Sequence, residues 1–413
     1  MPCMSPSTTD SAALPSRCQV LVIGAGPAGS ATARALAQGG FDVLLVDRQP
    51  LGRDKVCGDG LIPDAHAALA RLGVLDRVLA RARRVGEAAF TGQRGRSVIL
   101  SATMAVLPRK ELDALLNEAA QESGARFIAP ASFEAPLLDA QQRVCGARLS
   151  LDGQPWEVQA DWVVLATGAV PAALSAAGVC ERHTPSGVAM RGYVHAPSFV
   201  PRLQRLDIAW TRAVQPGYGW IFPAPGDCFN IGVGVTDSHE SHDGKGRKRT
   251  LNLRAMFDTF VAEYPPAAAL MREGKLVGEL KGAPLRFTLE GARWSRPGLL
   301  VTGEAAGSTY SLTGEGIGKA LETGMLAAEA IMARQDDART RAAYEQSLAA
   351  LKPRFEAYAK ANRINAHPWV GDLLIWRANK SPRLRQRMQG VLNETSNPGN
   401  LVSLKGLSRL LFE

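Results

Sequence analysis

"CQVLVIGAGPAGSATARALAQGGFDVLLVDR", residues 18–48, sets the architecture of the chain. Residues 18–23 form a short apolar run that reads as a strand, and Gly24-x-Gly26-x-x-Gly29 follows at once. An Ala-rich segment to about Gln38 reads as a helix, and a second apolar run, 42–46, leads into Asp47. Each small residue has a task. Gly24 permits the tight turn, Gly26 lets backbone approach a pyrophosphate, and Gly29 lets helix pack on strand. Ala28 belongs to the same loop facing the cofactor. The helix N-terminus presents free N–H groups and a partial positive charge to the phosphates. Asp47 stands where a carboxylate accepts both ribose hydroxyls of an adenosine. That favours a free 2′-hydroxyl, hence FAD or NAD over NADP. Strand, helix and acid together make this a dinucleotide site on a Rossmann-type α/β domain.

The chain has 413 residues, enough for two or three domains. Its 46% hydrophobic and 21% charged content is that of an ordinary soluble protein. Six scattered cysteines without a CxxC pair predict reduced thiols in a cytoplasmic protein and argue against a metal ribbon; no metal site is expected. The first 17 residues lack the charged and apolar regions of a signal peptide. From Lys352 onward there are 11 Lys/Arg and 4 Asp/Glu, so +7 of the net +9 lies in that stretch. Such a tail suits an anionic surface or a solvated helical face. "NLVSLKGLSRLLFE" sets Leu401, Leu404, Leu407 and Leu411 on one side, with Lys405 and Arg409 available to anionic headgroups, and predicts a peripheral membrane contact or a packed helix. It carries no nucleic-acid signature.

Two distant stretches say which dinucleotide is bound. "GLLVTGEAAGSTYSLTGEGIGKALETGMLAAEAI", residues 298–331, reads as a strand, a Gly-acid turn, a small-residue loop and a long helix from near Thr313. "LPRKELDALLNEAAQESGARF", residues 107–127, places Leu112, Leu115, Leu116 and Ala119 on one helical stripe. These segments resemble the flavin signatures of the large family that holds the aromatic hydroxylases and the geranylgeranyl reductases. The resemblance implies non-covalent FAD, with Gly303 and Glu304 on the ribityl chain, where the family usually has Asp in place of Glu304. It also implies that Arg109 approaches the phosphate–ribityl region, that "ADWVVLATGA" (160–169) passes near the adenine, and that Gly314, Gly316 and Ile317 approach the ring. A helix N-terminus at the flavin pyrimidine edge agrees with the negative charge of a reduced flavin near N1.

"DKVCGDGLIP", residues 54–63, resembles the Lys-x-Cys-Gly-Gly segment of the geranylgeranyl reductases, with Asp59 in place of the second glycine. The likeness puts Cys57 beside the isoalloxazine ring, with Lys55 and Gly58 in contact with the cofactor. "QPGYGWIFPAP", residues 215–225, spaces Tyr218, Trp220 and Phe222 two apart, so an extended strand turns all three rings to one face. It resembles the Pro-x-x-Tyr-x-Trp-x-Phe-Pro strand with which that family lines its substrate cavity, although Pro216 lies one residue too close to the tyrosine. Alternating runs at 187–195, 206–212, 217–223 and 228–234 predict an antiparallel sheet.

The expected organisation is an FAD-binding part over 17–185, with an excursion near 86–105 into the second domain. An antiparallel substrate domain over 186–284, the last FAD-binding part over 285–338 and a helical region over 339–413 follow. What the resemblance implies is an FAD-dependent reductase that saturates carbon–carbon double bonds in a prenyl chain or similar apolar substrate. Hydride would go to one carbon and a proton from a pocket acid or water to the other, with Tyr218 and Cys57 as the candidates. At roughly 0.8 kcal/mol per buried CH₂, a dozen chain carbons supply on the order of 10 kcal/mol of binding. Without a second GxGxxG unit, NADPH or NADH is expected to bind transiently or to be replaced by another electron donor. The alternatives are a flavin monooxygenase acting as a hydroxylase and a flavin halogenase; the latter usually has Gly-Trp-x-Trp-x-Ile-Pro, which Gly217–Pro223 lacks.

Overall fold

Strand Arg17–Ile23, helix Pro27–Gln38 and strand Val43–Val46 follow one another, and the two strands pair in parallel from Val20↔Val43 to Ile23↔Val46. The computed structural model describes residues 14–236 and 251–400. Val43–Val46 reads VLLV without alternation, and all four side chains are buried. A parallel strand covered on both faces has no polar side. Gln154–Leu165, Leu299–Val301 and Arg126–Ile128 complete the parallel core. Ala131–Leu138 and Val144–Leu151 extend it as an antiparallel meander. One face carries Val20, Val22, Val164 and Leu300 with helices Pro27–Gln38 and Ile317–Met332; the other carries Leu21, Val163 and Leu165 against the meander.

The second sheet runs in the order Lys275–Leu285, Gly187–His195, Cys228–Val235, Gly217–Ala224, Leu206–Ala209, Arg83–Thr91, Ser97–Val106, Gly60–Leu61. Its neighbours are antiparallel except Leu206–Ala209 beside Arg83–Thr91. The chain therefore enters this sheet early, between its visits to the first. The run read as 206–212 is strand only to Ala209, and a short 3₁₀ turn, Arg212–Val214, follows. Helix Leu253–Glu263 covers one face, with Phe257 and Phe260 packed on Ile221, Ile231 and Val233.

The helix expected from Thr313 begins at Ile317. Gly314 has φ +70°, in the left-handed region a right-handed helix excludes. Tyr310 N–H donates to the Glu315 carbonyl at 2.8 Å, so Thr313–Gly316 stays a loop. Farther on, helix Asp337–Ala361 packs on the first sheet through Tyr344, whose hydroxyl donates to the Val301 carbonyl at 2.6 Å. Helical sequence from 368 is interrupted before Pro382, which lacks an N–H and starts a new helix. Ser381 Oγ caps it, accepting from Leu384 N–H at 3.3 Å. Helices Pro368–Ala378 and Pro382–Leu392 lie over Ser97–Val106, where Val98 and Leu100 meet Leu374, Ile375 and Leu384. Each such fully buried side chain contributes about 1.5–3 kcal/mol. No described helix is long and apolar enough to cross a membrane. Leu401, Leu404, Lys405, Leu407, Arg409 and Leu411 lie outside the described residues.

Candidate active site

The parallel strands end in register, Ile23 with Val46 and Leu165, and Leu165 with Val301. Their following loops therefore gather Gly24, Asp47, Ala166 and Thr302 on one edge, where open α/β sheets bind ligands. A cavity of about 890 Å³ runs from this edge to the second sheet. Its wall includes Gly24, Gly26, Ala28, Asp47, Lys55 and Cys57 from the first part of the chain, and Gly58 and Arg109 beside them. Glu304, Gly314, Gly316 and Ile317 come from the last signature, and Tyr218, Trp220 and Phe222 from the aromatic strand. Gly29 and Gly303 do not line it. A Cβ on Gly29 would strike the Gly24 carbonyl and one on Gly303 the Ala28 side chain, so these two hold helix to turn.

At the glycine loop the surroundings are cationic. A Cβ built on Gly26 would meet only the Arg109 and Arg53 guanidinium nitrogens, at 3.6 and 3.7 Å. Both arginines are anchored. Asp113, four residues along its helix, accepts from Arg109 Nε at 2.7 Å and Nη2 at 2.9 Å, while Arg53 lies 3.5 Å from Asp113 and 3.8 Å from Asp47. Burial works against the Arg109 charge, but Asp113 overrides it and holds the guanidinium firmly protonated. Asp47 is fixed as an acceptor by Ala25 N–H at 2.8 Å and Gln49 N–H at 2.9 Å. Sequence reasoning missed Arg53, whose signal was only its position in the loop after the second strand. It also left Asp113 without a role, although the Arg-x-x-Leu-Asp spacing puts it one helical turn from Arg109.

The loop 54–60 is tied to the aromatic strand through Asp59. This fully buried residue has φ +64° where the resembling family has glycine. Its carboxylate accepts from the Tyr193 hydroxyl, from Asn230 Nδ2 at 2.8 Å and from Arg109 N–H at 3.2 Å. Asn230 Nδ2 also donates to the Cys57 carbonyl at 2.7 Å, and Asn230 Oδ1 accepts from Trp220 Nε1 at 2.9 Å. Burial pushes the Asp59 carboxyl up to about 6, against the hydrogen bonds from Tyr193 and Asn230. Two strands and a helix N-terminus thus share one acceptor. Cys57 Sγ accepts from Asp59 N–H at 3.3 Å, and burial pushes its thiol up.

Tyr218, Trp220 and Phe222 stand in a row with ring centroids 6.1 and 6.4 Å apart, and Trp210 and Phe90 continue it at 6.1 and 6.0 Å. The alternate residues of the strand face the other way, where Gly219 leaves room for the Phe260 ring. The Trp220 ring lies over Gly232, with no side chain between. The Tyr218 hydroxyl donates to the Thr313 carbonyl, joining the aromatic strand to the glycine loop, and burial raises its phenol well above the usual value. Beyond Phe222 the wall is apolar: Leu206, Ile208 and Leu100 from the sheet face Leu374, Met388 and Leu392 from the C-terminal helices. Those helices were legible as helices, not as part of the site.

Behind the glycine loop sits a cluster of acids. Lys319 Nζ lies 2.9 Å from Glu322, 3.4 Å from Glu394 and 3.9 Å from Asp64, and Arg354 reaches Glu394 at 3.0 Å. Burial and the Glu394 charge push Asp64 up to about 7. Glu315, on the cavity wall, is pushed up to about 8 by burial and by Asp64. Glu315 escaped sequence reasoning because Thr-Gly-Glu-Gly was read only for its backbone.

The family described as FAD binding domain matches residues 17–245. The chain is 33% identical over 339 residues to a menaquinone reductase of Mycolicibacterium smegmatis, which covers 76% of each chain. A digeranylgeranylglycerophospholipid reductase of Methanosarcina mazei is 30% identical over 319 residues, 75% of this chain and 74% of the relative. Among solved structures, a geranylgeranyl bacteriochlorophyll reductase-like protein of Thermoplasma acidophilum shares the fold with a TM-score of 0.70 at 23% identity, over 96% of both chains. A flavin-dependent brominase superposes with a TM-score of 0.74 at 18% identity, over 96% of this chain and 98% of the other. The chain belongs to the geranylgeranyl reductase family of FAD-dependent oxidoreductases.

The residues present fit FAD. Two anchored guanidiniums and a helix N-terminus without a side chain at Gly26 match a dianionic pyrophosphate. The pinned Asp47 carboxylate matches a ribose diol. Glu304 lies 3.8 Å from Lys55 and accepts from Thr309 at 3.4 Å, placing a polar pair on the wall between the glycine loops.

Proposed function

We propose that this protein reduces carbon–carbon double bonds in the prenyl chain of an apolar lipid, with NADPH or NADH as a transient reductant. The observation that carries the reading is the continuity of the cavity. One space joins the dinucleotide cradle to a row of rings and then to an aliphatic branch roofed by the C-terminal helices. Each five-carbon prenyl unit buried there contributes about 4 kcal/mol at roughly 0.8 kcal/mol per CH₂. Arg53, Arg109 and the Gly24–Gly29 loop would hold the FAD pyrophosphate, Asp47 the adenosine ribose, and Gly314–Ile317 the ring edge. Bound FAD supplies two-electron hydride chemistry. Trp210, Tyr218, Trp220 and Phe222 hold an alkene in place and exclude water. The names of the relatives point to two substrate classes, menaquinones and digeranylgeranyl glycerophospholipids.

Incubation of the FAD-loaded protein with a nicotinamide donor and each of these lipids, followed by product mass, tests the reading. A gain of two hydrogens in the prenyl chain is expected. A gain of one oxygen or of a halogen would replace it with the hydroxylase or halogenase chemistry.

A further inference from the structure

Five acidic side chains of the described residues line the cavity, and four are already committed. Asp47 is held by two backbone N–H groups, and Asp54 pairs with Arg191 and Lys281. Asp59 accepts from three donors, and Glu304 faces Lys55. Glu315 has no ion pair among the described residues, and the hydroxyl of Thr313, two residues before it, is itself buried without a partner. The groups facing it from the surrounding elements are Asp64 on helix Pro63–Arg71, Lys319 and Glu322 on its own side, and Glu394 after helix Pro382–Leu392. Tyr218, Tyr310 and Tyr358 supply phenols, and Arg354 the second cation. Four carboxyls thus share two cations. Asp64 Oδ1, Glu394 Oε1 and the Tyr310 hydroxyl are buried without a hydrogen-bond partner. A cluster with spare acceptors and too few cations retains a proton.

We propose that Glu315 is the acid that protonates the alkene, and that Asp64 behind it resupplies its proton. The inference rests on the reductase reading above. Bound FAD, recharged by the nicotinamide, would supply the hydride for one C–H bond. The alkene π pair forms the other with the Glu315 proton, the O–H bond breaks, and the carboxylate keeps its electron pair. Proton transfer from Asp64 restores the acid. The two residues named from sequence are poorer donors. The Tyr218 proton is engaged with the Thr313 carbonyl and its phenol is raised by burial, and burial likewise raises the Cys57 thiol. Held near 8, Glu315 keeps its proton through neutral pH and still gives it up.

The test uses the FAD-loaded protein and its Glu315→Gln and Glu315→Asp variants. Infrared titration without turnover is expected to show a protonated-carboxyl band that disappears near pH 8 and is missing from E315Q. In single turnover, E315Q is expected to retain FAD and flavin reduction by the nicotinamide, to lose about 10²–10⁴-fold in alkene reduction, and to lose the alkaline fall of the wild-type rate. E315D is expected to recover part of both. Wild-type rate and pH profile in E315Q, or a Glu315 already ionised at pH 6, would overturn the acid role and leave the reductase reading intact. A wild-type enzyme that reduces no prenyl lipid would instead remove the reductase reading, and the acid role with it.

Discussion

The two ends of the cavity are built on opposite principles. At the glycine loop every charge has a partner: Arg109 and Arg53 share Asp113, and Asp47 is fixed by backbone N–H groups. Around Glu315 the carboxyls outnumber the cations, and buried oxygens are left without donors. The first arrangement suits binding, because a pre-paired site loses little when a phosphate arrives. The second suits proton transfer, because groups held near neutral pKa exchange protons readily. It also destabilises the fold, a load that the saturated end does not carry.

The largest effects are expected at the glycine loop, and they separate binding from folding. Gly26→Val points a side chain between the two guanidiniums, so the variant is expected to fold and be colourless. Gly29→Val drives a side chain into the Gly24 carbonyl, so poor yield is expected instead. Absorbance at flavin wavelengths and far-UV circular dichroism check both. Full flavin occupancy in Gly26→Val would move the pyrophosphate elsewhere.

Next is the aromatic wall. Trp220→Ala empties the middle of the ring row and takes the donor from Asn230 Oδ1. Retained FAD with about a hundredfold loss of alkene reduction is expected, since misplacement alone can cost that much. Truncating a core tryptophan also costs about 3–5 kcal/mol, so a lower melting temperature is expected too. Normal turnover at low temperature in this variant would make the ring row ordinary core.

How much of this was legible depends on how far each signal travels along the chain. The strand–glycine–helix–acid unit at 18–48 is local, so its fold and cofactor class could be read directly. Tyr218, Trp220 and Phe222 were legible because a period of two fixes their common face. Trp210 and Phe90 join them only through strand pairing, which spacing does not encode. Asp59 looked like a mere departure from a glycine pattern, because its partners Tyr193 and Asn230 lie more than a hundred residues away. The same holds for Glu315, whose neighbours Asp64 and Glu394 come from opposite ends of the chain.

Asp59 itself offers a smaller, graded effect. Asp59→Gly relieves the left-handed backbone but strips an acceptor from Tyr193, Asn230 and Arg109 N–H. Leaving a buried donor unpaired costs about 1–3 kcal/mol, so roughly tenfold weaker FAD binding and a higher substrate KM are expected. Asp59→Asn, which keeps an acceptor oxygen, is expected to recover most of both. Unchanged flavin affinity and KM in Asp59→Gly would mean that the loop and the aromatic strand are positioned independently.

The smallest effect concerns stability against pH. Burial and Asp64 raise the Glu315 carboxyl from its usual range to about 8, so the folded protein binds a proton that the unfolded chain has already released. Stability therefore falls as pH rises from about 4.5 to about 8, because between those values the native state binds more protons than the unfolded one. Below that window the residue is protonated in both states and exerts no such effect. Glu315→Gln removes the titration and keeps the shape. Its melting temperature is expected to match the wild type near pH 4, below that window, and to exceed it at pH 9. Scanning calorimetry of both proteins at the two pH values checks this. A variant that melts lower than the wild type at pH 9 would mean that ionised Glu315 has a stabilising cationic partner, and would return that end of the cavity to the same saturated design as the other.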